Sequence, residues 1–117
     1  MRLRAPLLLT TFSLSIMVLN LSITAPSQTQ LSEAAAQGKT VFDANCAICH
    51  KVDSTDKIIG PGLKGLYSRG VMQDGTTKVT DDTVTERIQD GKSPMPGYKD
   101  SLKPEEIKAI VEYLKTL

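Results

Sequence analysis

The chain has no tryptophan, and aromatic residues make up only 4% of its 117 residues. Cysteine occurs twice and histidine once. Two thiols are too few for an iron–sulfur cluster, which commonly takes four. Two cysteines and one histidine also fall short of the four protein ligands usual in a structural zinc site. Internal repeats and low-complexity tracts are absent. No excess charge of either sign is present: 14 Lys+Arg against 13 Asp+Glu give a net charge of +1. Residues 1–27 contribute Arg2 and Arg4 and no acid, so residues 28–117 carry −1. That balance offers no electrostatic basis for binding nucleic acid or anionic lipid. Within 28–117 the aromatics are Phe42, Tyr67, Tyr98 and Tyr113. A domain of this length buries little side-chain surface, so something other than side chains must help fill its interior.

What is present is concentrated in one place. Both cysteines and the only histidine lie in Cys46-Ala47-Ile48-Cys49-His50, the spelling of a c-type haem attachment site. Each thiol can add to one haem vinyl group, two intervening residues let both sulfurs reach one porphyrin edge, and the next residue brings an imidazole to the iron. A thioredoxin-like pair shares the C-x-x-C spelling but expects a βαβ setting, whereas the residues before Cys46 read as helix. A plain disulfide in an exported protein is the remaining thiol reading. With a single histidine, bis-histidine ligation within the chain is excluded. The sixth iron position then falls to Met95, Met72, a lysine or nothing. Met95 is favoured because Ser93-Pro94-Met95-Pro96-Gly97 is a stiff segment whose two prolines restrict the backbone and present the thioether in a fixed direction. Its soft sulfur favours ferrous iron.

The first 27 residues read as a leader: Arg2 and Arg4 form a positive start, and Leu7 to Ile23 is an apolar run diluted by Ser and Thr. Cleavage fits Ala25-Pro26-Ser27. The competing reading is an uncleaved anchor, since the run approaches a membrane span in length. Residues 28–117 form one domain. Ser32 is the expected N-cap of a helix running to about Asn45, with Gly38, Val41 and Phe42 on its packing face. A second secure helix starts at Pro104, carries Glu105 and Glu106 in its first turn, and shows Ile107, Ile110, Val111 and Leu114 at i, i+3, i+4, i+7. Lys108 and Glu112 are an expected ion pair on its outer face. Gly38 should let the two helices approach near Ile110 and Tyr113. Between them, Asp81 or Asp82 caps a short helix through Val84 and Ile88 that stops at Gly91. The stretch from Lys51 to Gly75 reads as ordered loop, with one helical turn near Leu63 to Tyr67.

From about Leu31 to Leu117 the chain resembles a class I, mono-haem, His/Met-ligated cytochrome c of small exported bacterial type. The residues that carry the resemblance are Gly38 and Phe42 ahead of Cys46-Ala47-Ile48-Cys49-His50, Gly60-Pro61-Gly62-Leu63 after it, Pro94-Met95-Pro96, and Ile110 with Tyr113 in the last helix. The resemblance implies an all-α fold of three to five short helices and loops wrapped around one covalent haem c, with the terminal helices crossing. It implies that Cys46 and Cys49 form thioethers, that His50 and Met95 are the axial iron ligands, and that Pro61 offers its carbonyl to the His50 imidazole. Leu63 belongs to the same haem-binding stretch. The lack of tryptophan departs from many relatives, so a haem carboxylate must find another partner; Tyr67, Arg69, Tyr98 and Lys78 are the candidates.

These readings describe an exported single-electron carrier and not an enzyme. Its partners would be redox proteins, a donor dehydrogenase or cytochrome complex and an acceptor oxidase or reductase. Membrane attachment would arise only through an uncleaved leader, and the chain is expected to be a periplasmic monomer. Lys39, Lys51, Lys57, Lys64, Lys92 and Lys99 flank the haem segments and can steer an acidic partner, although Asp43, Asp53, Asp56, Asp90 and Asp100 lie among them. Two alternatives are a small haem subunit of a larger dehydrogenase or oxidase and a haem sensor or enzyme with displaceable Met95. Against peroxide chemistry, no second histidine is available as an acid–base group.

Overall fold

A computed structural model describes residues 31–117; the expected leader, its cleavage site and the start of the linker lie outside the described residues. Among the described residues four helices follow one another: α1 (Glu33–Asn45), α2 (Leu66–Arg69), α3 (Asp81–Asp90) and α4 (Pro104–Leu114). Among the described residues, extended pairing is limited to two isolated bridges, Val71 with Lys78 and Lys92 with Met95. The fold is all-α.

α1 begins as its sequence dictates. The Ser32 hydroxyl accepts from the Ala35 amide at 3.1 Å, satisfying one of the first-turn donors that no helical carbonyl can reach. α1 packs chiefly on α4, and α3 also rests on α4. Gly38 is buried against the Ala109 carbonyl and the Ile110 amide, so the two backbones meet where a side chain would otherwise keep them apart. Around that contact Phe42, Ile107 and Ile110 are almost fully buried, and the Phe42 and Tyr113 rings meet edge to face with centroids 5.5 Å apart. Burying side chains of this size stabilises by about 1.5–3 kcal/mol each.

Three local expectations are corrected. α3 is capped by Thr80, not by Asp81 or Asp82. The Thr80 hydroxyl accepts from the Thr83 amide while the Thr83 hydroxyl accepts from the Thr80 amide, and the two aspartates occupy the first turn. A threonine three residues on can close the reciprocal box, and this leaves Asp81 free to bond elsewhere. The short turn is Leu66–Arg69 and not Leu63–Tyr67, because Gly65 takes a positive φ of 65° and starts the helix there. Glu112 pairs with Lys115 at 2.9 Å rather than with Lys108. Lys115, the cap residue of α4, also reaches Asp81 at 2.7 Å, and Asp81 accepts from the Tyr67 hydroxyl at 3.0 Å. One carboxylate thereby ties α2, α3 and the end of α4.

Candidate functional site

α1 does not stop cleanly; it runs on into an irregular turn. The Cys46 and Ala47 amides both donate to the Phe42 carbonyl, at 2.7 and 3.2 Å, and the Cys49 and His50 amides both donate to the Cys46 carbonyl at 3.0 Å. This extra turn gathers Cys46, Cys49 and His50 on the wall of one predominantly apolar cavity of about 330 Å³. Ile48 is turned to solvent, 77% exposed. Phe42, Leu66, Val84, Ile88, Ile110 and Leu114 supply apolar lining from all four helices. The sulfurs of Cys46 and Cys49 are not joined in a disulfide. Burial, helped by the neighbouring Cys49, pushes the Cys46 thiol up to about 11, so at neutral pH it is uncharged and thioether formation removes no buried charge.

The His50 ring is held from behind. Its Nδ1 lies 2.8 Å from the Pro61 carbonyl oxygen. A carbonyl only accepts, so Nδ1 carries the proton and, in the neutral ring, Nε2 keeps its lone pair. The carbonyl is brought there by a strap: the Gly60 amide donates to the Cys49 carbonyl at 2.7 Å and the Leu63 amide to the Lys51 carbonyl at 2.7 Å. Gly60 sits directly against the ring; a Cβ on it would fall 2.5 Å from His50 Cε1 and 2.8 Å from Nδ1. Pro61 and Leu63 both line the cavity, and Leu63 packs on the core.

Met95 lines the same cavity. Its amide donates to the Lys92 carbonyl at 2.9 Å and its carbonyl accepts from the Lys92 amide at 3.1 Å, closing a tight loop after α3. The segment that follows is anchored twice: the Tyr98 amide donates to Ile88 at 2.9 Å, and the Tyr98 hydroxyl donates to the Asn45 carbonyl at 3.1 Å. Met72 also reaches the cavity wall, but as a buried member of the hydrophobic core, 8% exposed. Its place in a turn-rich stretch gave no hint of that burial; the Met72 amide bonds the Thr77 carbonyl across the loop at 2.8 Å.

The four candidates for a haem carboxylate separate. The Tyr67 hydroxyl, its pKa raised by burial and then by Asp81, is committed to Asp81, and neither Tyr67 nor Lys78 lines the cavity. Tyr98 lines it with its hydroxyl already spent on Asn45, while Arg69 lines it and donates to the Gly62 carbonyl at 3.2 Å. Sequence reasoning passed over Asp74 and Arg87, and it took Lys92 only for a surface charge; all three line the cavity. The signal that could have found Arg87 is its position, three residues after Val84 and one before Ile88 on the helix face turned inward.

These features fit a haem: two thiols one turn apart, an imidazole with a free Nε2, a thioether on a fixed loop and an apolar wall between them. The comparisons agree. The family profile described as Cytochrome c matches residues 35–117. Cytochrome c2 iso-2 of Magnetospirillum molischianum is 34% identical over 87 residues, covering 62% of this chain and 90% of the relative. Cytochrome c6 of a Nostoc species is 29% identical over 103 residues, covering 88% of each. Among solved structures, cytochrome c6 from the diatom Phaeodactylum tricornutum superposes with a TM-score of 0.56 at 26% identity, covering 70% of this chain and 91% of that one. The fold and site define a mono-haem protein of class I, and the chain belongs to the cytochrome c family. It is a single-electron carrier with one covalently attached haem c, an electron-transfer protein rather than an enzyme.

Proposed function

We propose that Cys46 and Cys49 hold the haem by thioether bonds, that His50 Nε2 and Met95 Sδ are the axial ligands, and that Pro61 and Leu63 complete the proximal side. When bound, the haem supplies one-electron exchange between ferric and ferrous iron. The chain's own residues keep that exchange cheap. The Pro61 carbonyl fixes the tautomer and orientation of His50, and the Lys92–Met95 pairing holds the thioether on a short loop, so neither ligand has to rearrange. The apolar lining limits water at the iron. The observation that carries the reading is the shared cavity, with both thiols, the oriented imidazole and the thioether on its walls.

In this reading the protein is an exported, periplasmic shuttle with residues 1–27 as its leader, passing electrons from a donor dehydrogenase or cytochrome complex to an acceptor oxidase or reductase. Among the described residues no helix is long and apolar enough to cross a membrane. Of the six lysines that could steer a partner, Lys39 and Lys99 bond Asp43 and Asp90, and Lys92 stands 3.7 Å from Asp74. Docking then rests less on a basic ring than on the exposed apolar residues of the haem segments, Ile48, Ile58 and Ile59.

Absorption spectra of the holoprotein test the axial pair. The expected result is a sharp c-type reduced spectrum, a weak Met–iron band in the oxidised form and no response to carbon monoxide. Met95→Ala should abolish that band, admit carbon monoxide and lower the midpoint potential. A variant with the parent spectrum would remove Met95 from the iron.

A further inference from the structure

α1 and α3 meet chiefly through α4, yet the proposed site needs them in a fixed relation. Cys46, Cys49 and His50 extend α1, while Met95 sits on the loop that leaves α3. That loop is bound to α3 itself. A Cβ on Gly91 would fall 2.5 Å from the Met95 carbonyl oxygen, and one on Gly97 2.6 Å from the Gln89 carbonyl oxygen, so the two backbones lie in direct contact. The Tyr98 and Lys99 amides donate to the Ile88 and Gln89 carbonyls, at 2.9 and 3.2 Å, taking up carbonyls that the end of a helix leaves open. None of these bonds fixes the loop relative to the haem-attachment turn.

One bond does cross. In a regular α-helix the amide four residues on takes each carbonyl, but the turn after α1 sends the Cys49 and His50 amides to the Cys46 carbonyl instead. Among the described residues no backbone amide reaches the Asn45 carbonyl. The Tyr98 hydroxyl, from 53 positions along the chain, donates to it at 3.1 Å. Among the described residues the other hydrogen bonds of residues 92–99 run to α3 or to neighbours in the same stretch. The Tyr98 side chain lines the same cavity as Met95 and packs on the core. The irregular turn that gathers the two thiols and the imidazole thus frees the carbonyl to which the Met95 loop is tied.

We infer that Tyr98 is a positioning residue for Met95: its hydroxyl latches the Met95 loop to the haem-attachment turn and so sets how readily another ligand takes the sixth iron position. The inference rests on Met95 as the axial ligand proposed above. The latch is closed with Met95 at the iron and opens when the loop swings away, so it weighs on the bound side alone. A single hydrogen bond of this kind shifts the balance between bound and displaced Met95 by about 2- to 10-fold.

The test is a titration of the ferric holoprotein with imidazole, whose nitrogen replaces the Met95 sulfur with no electron moved, followed by loss of the weak Met–iron band. Tyr98→Phe removes one oxygen and keeps the ring packing; far-ultraviolet dichroism and melting check its fold. The expected result is displacement at about 2- to 10-fold lower imidazole than in the parent. Gly38→Ala, which strains the α1–α4 contact instead, should melt lower yet titrate like the parent. In a Met95→Ala background the iron position is already open, and there adding Tyr98→Phe should leave the affinity for imidazole unchanged. Displacement of Met95 in Tyr98→Phe at the parent's imidazole concentration would overturn the inference. So would an equal gain in Gly38→Ala, which would mark a general loss of stability, or the same gain in the Met95→Ala background, which would mean that the hydroxyl does not act through Met95. A parent lacking the Met–iron band would sink the Met95 assignment and the latch with it, whereas an intact band with unchanged displacement sinks the latch alone.

Discussion

Gly60 has no room for a methyl group, and that makes it the most direct probe of His50 as the proposed proximal ligand. A Cβ there would press on His50 Cε1 and Nδ1 at 2.5 and 2.8 Å, and the strap cannot retreat because the Gly60 amide is bonded to the Cys49 carbonyl. Gly60→Ala should displace the imidazole, lengthen or break the bond to Pro61 and weaken His50 as a ligand. The expected result is a lower yield of loaded protein and a shifted, partly high-spin ferric spectrum; a parent-like yield and spectrum would show that the ring has slack. At this scale the C-x-x-C-H spelling was the readable part, because thiol, thiol and imidazole at that spacing point first to haem attachment, and the folded chain puts all three side chains on one cavity wall. Arg87 and Asp74 were not readable, because an arginine on a helix and an aspartate in a turn have ordinary surface roles in most chains.

Among the elements, α1 and α4 carry the fold, and their contact turns on Gly38. A side chain there would collide with the Ala109 carbonyl, which belongs to a helix backbone and has little freedom to yield. Gly38→Ala improves intrinsic helix propensity by about 1 kcal/mol, yet overpacking costs about 1–3 kcal/mol and more against backbone. With the clash against backbone, the upper end of that cost applies, and the net expectation is destabilisation by about 2 kcal/mol, read as a lower denaturation midpoint of the holoprotein. A rise in the midpoint would mean that the helices part without penalty. Periodicity was enough to place α1 and α4, since both have apolar faces and recognisable starts. It placed α3 but mistook its cap: the acidic pair offered two good candidates, and the reciprocal bonding of Thr80 with Thr83 depends on a threonine standing in for the usual Glu or Gln.

For the molecule as a whole, Asp81 is the junction at which α2, α3 and α4 meet, and its ionisation links fold to pH. The Lys115 ammonium, and then the Tyr67 hydroxyl, hold Asp81 below its ordinary value. A depressed folded-state pKa stabilises above the unfolded value, about 3.9, and that stability is lost as pH falls through it. On the alkaline side Lys115 is raised by Asp81 and Glu112, and Tyr67 by burial and by Asp81. Groups raised on folding contribute below their unfolded values, about 10, and lose that contribution as pH climbs further. The melting temperature of the holoprotein should therefore fall below about pH 4 and above about pH 10. Asp81→Asn should flatten both limbs in part, the acid one because Asp74 also contributes there and the alkaline one because burial still raises Tyr67 and Glu112 still raises Lys115; unchanged limbs in that variant would remove Asp81 as the junction. The order of residues alone was enough for the haem motif, the all-α class and the two principal helices, because these rest on short-range chemistry and on the 3.6-residue period. Only the folded chain decides that Met72 is core, that Tyr67 turns from the cavity to Asp81, and that Asp74, Arg87 and Lys92 share one wall. Those outcomes depend on which distant segments the α1–α4 contact and the loops bring together, and no local pattern encodes that.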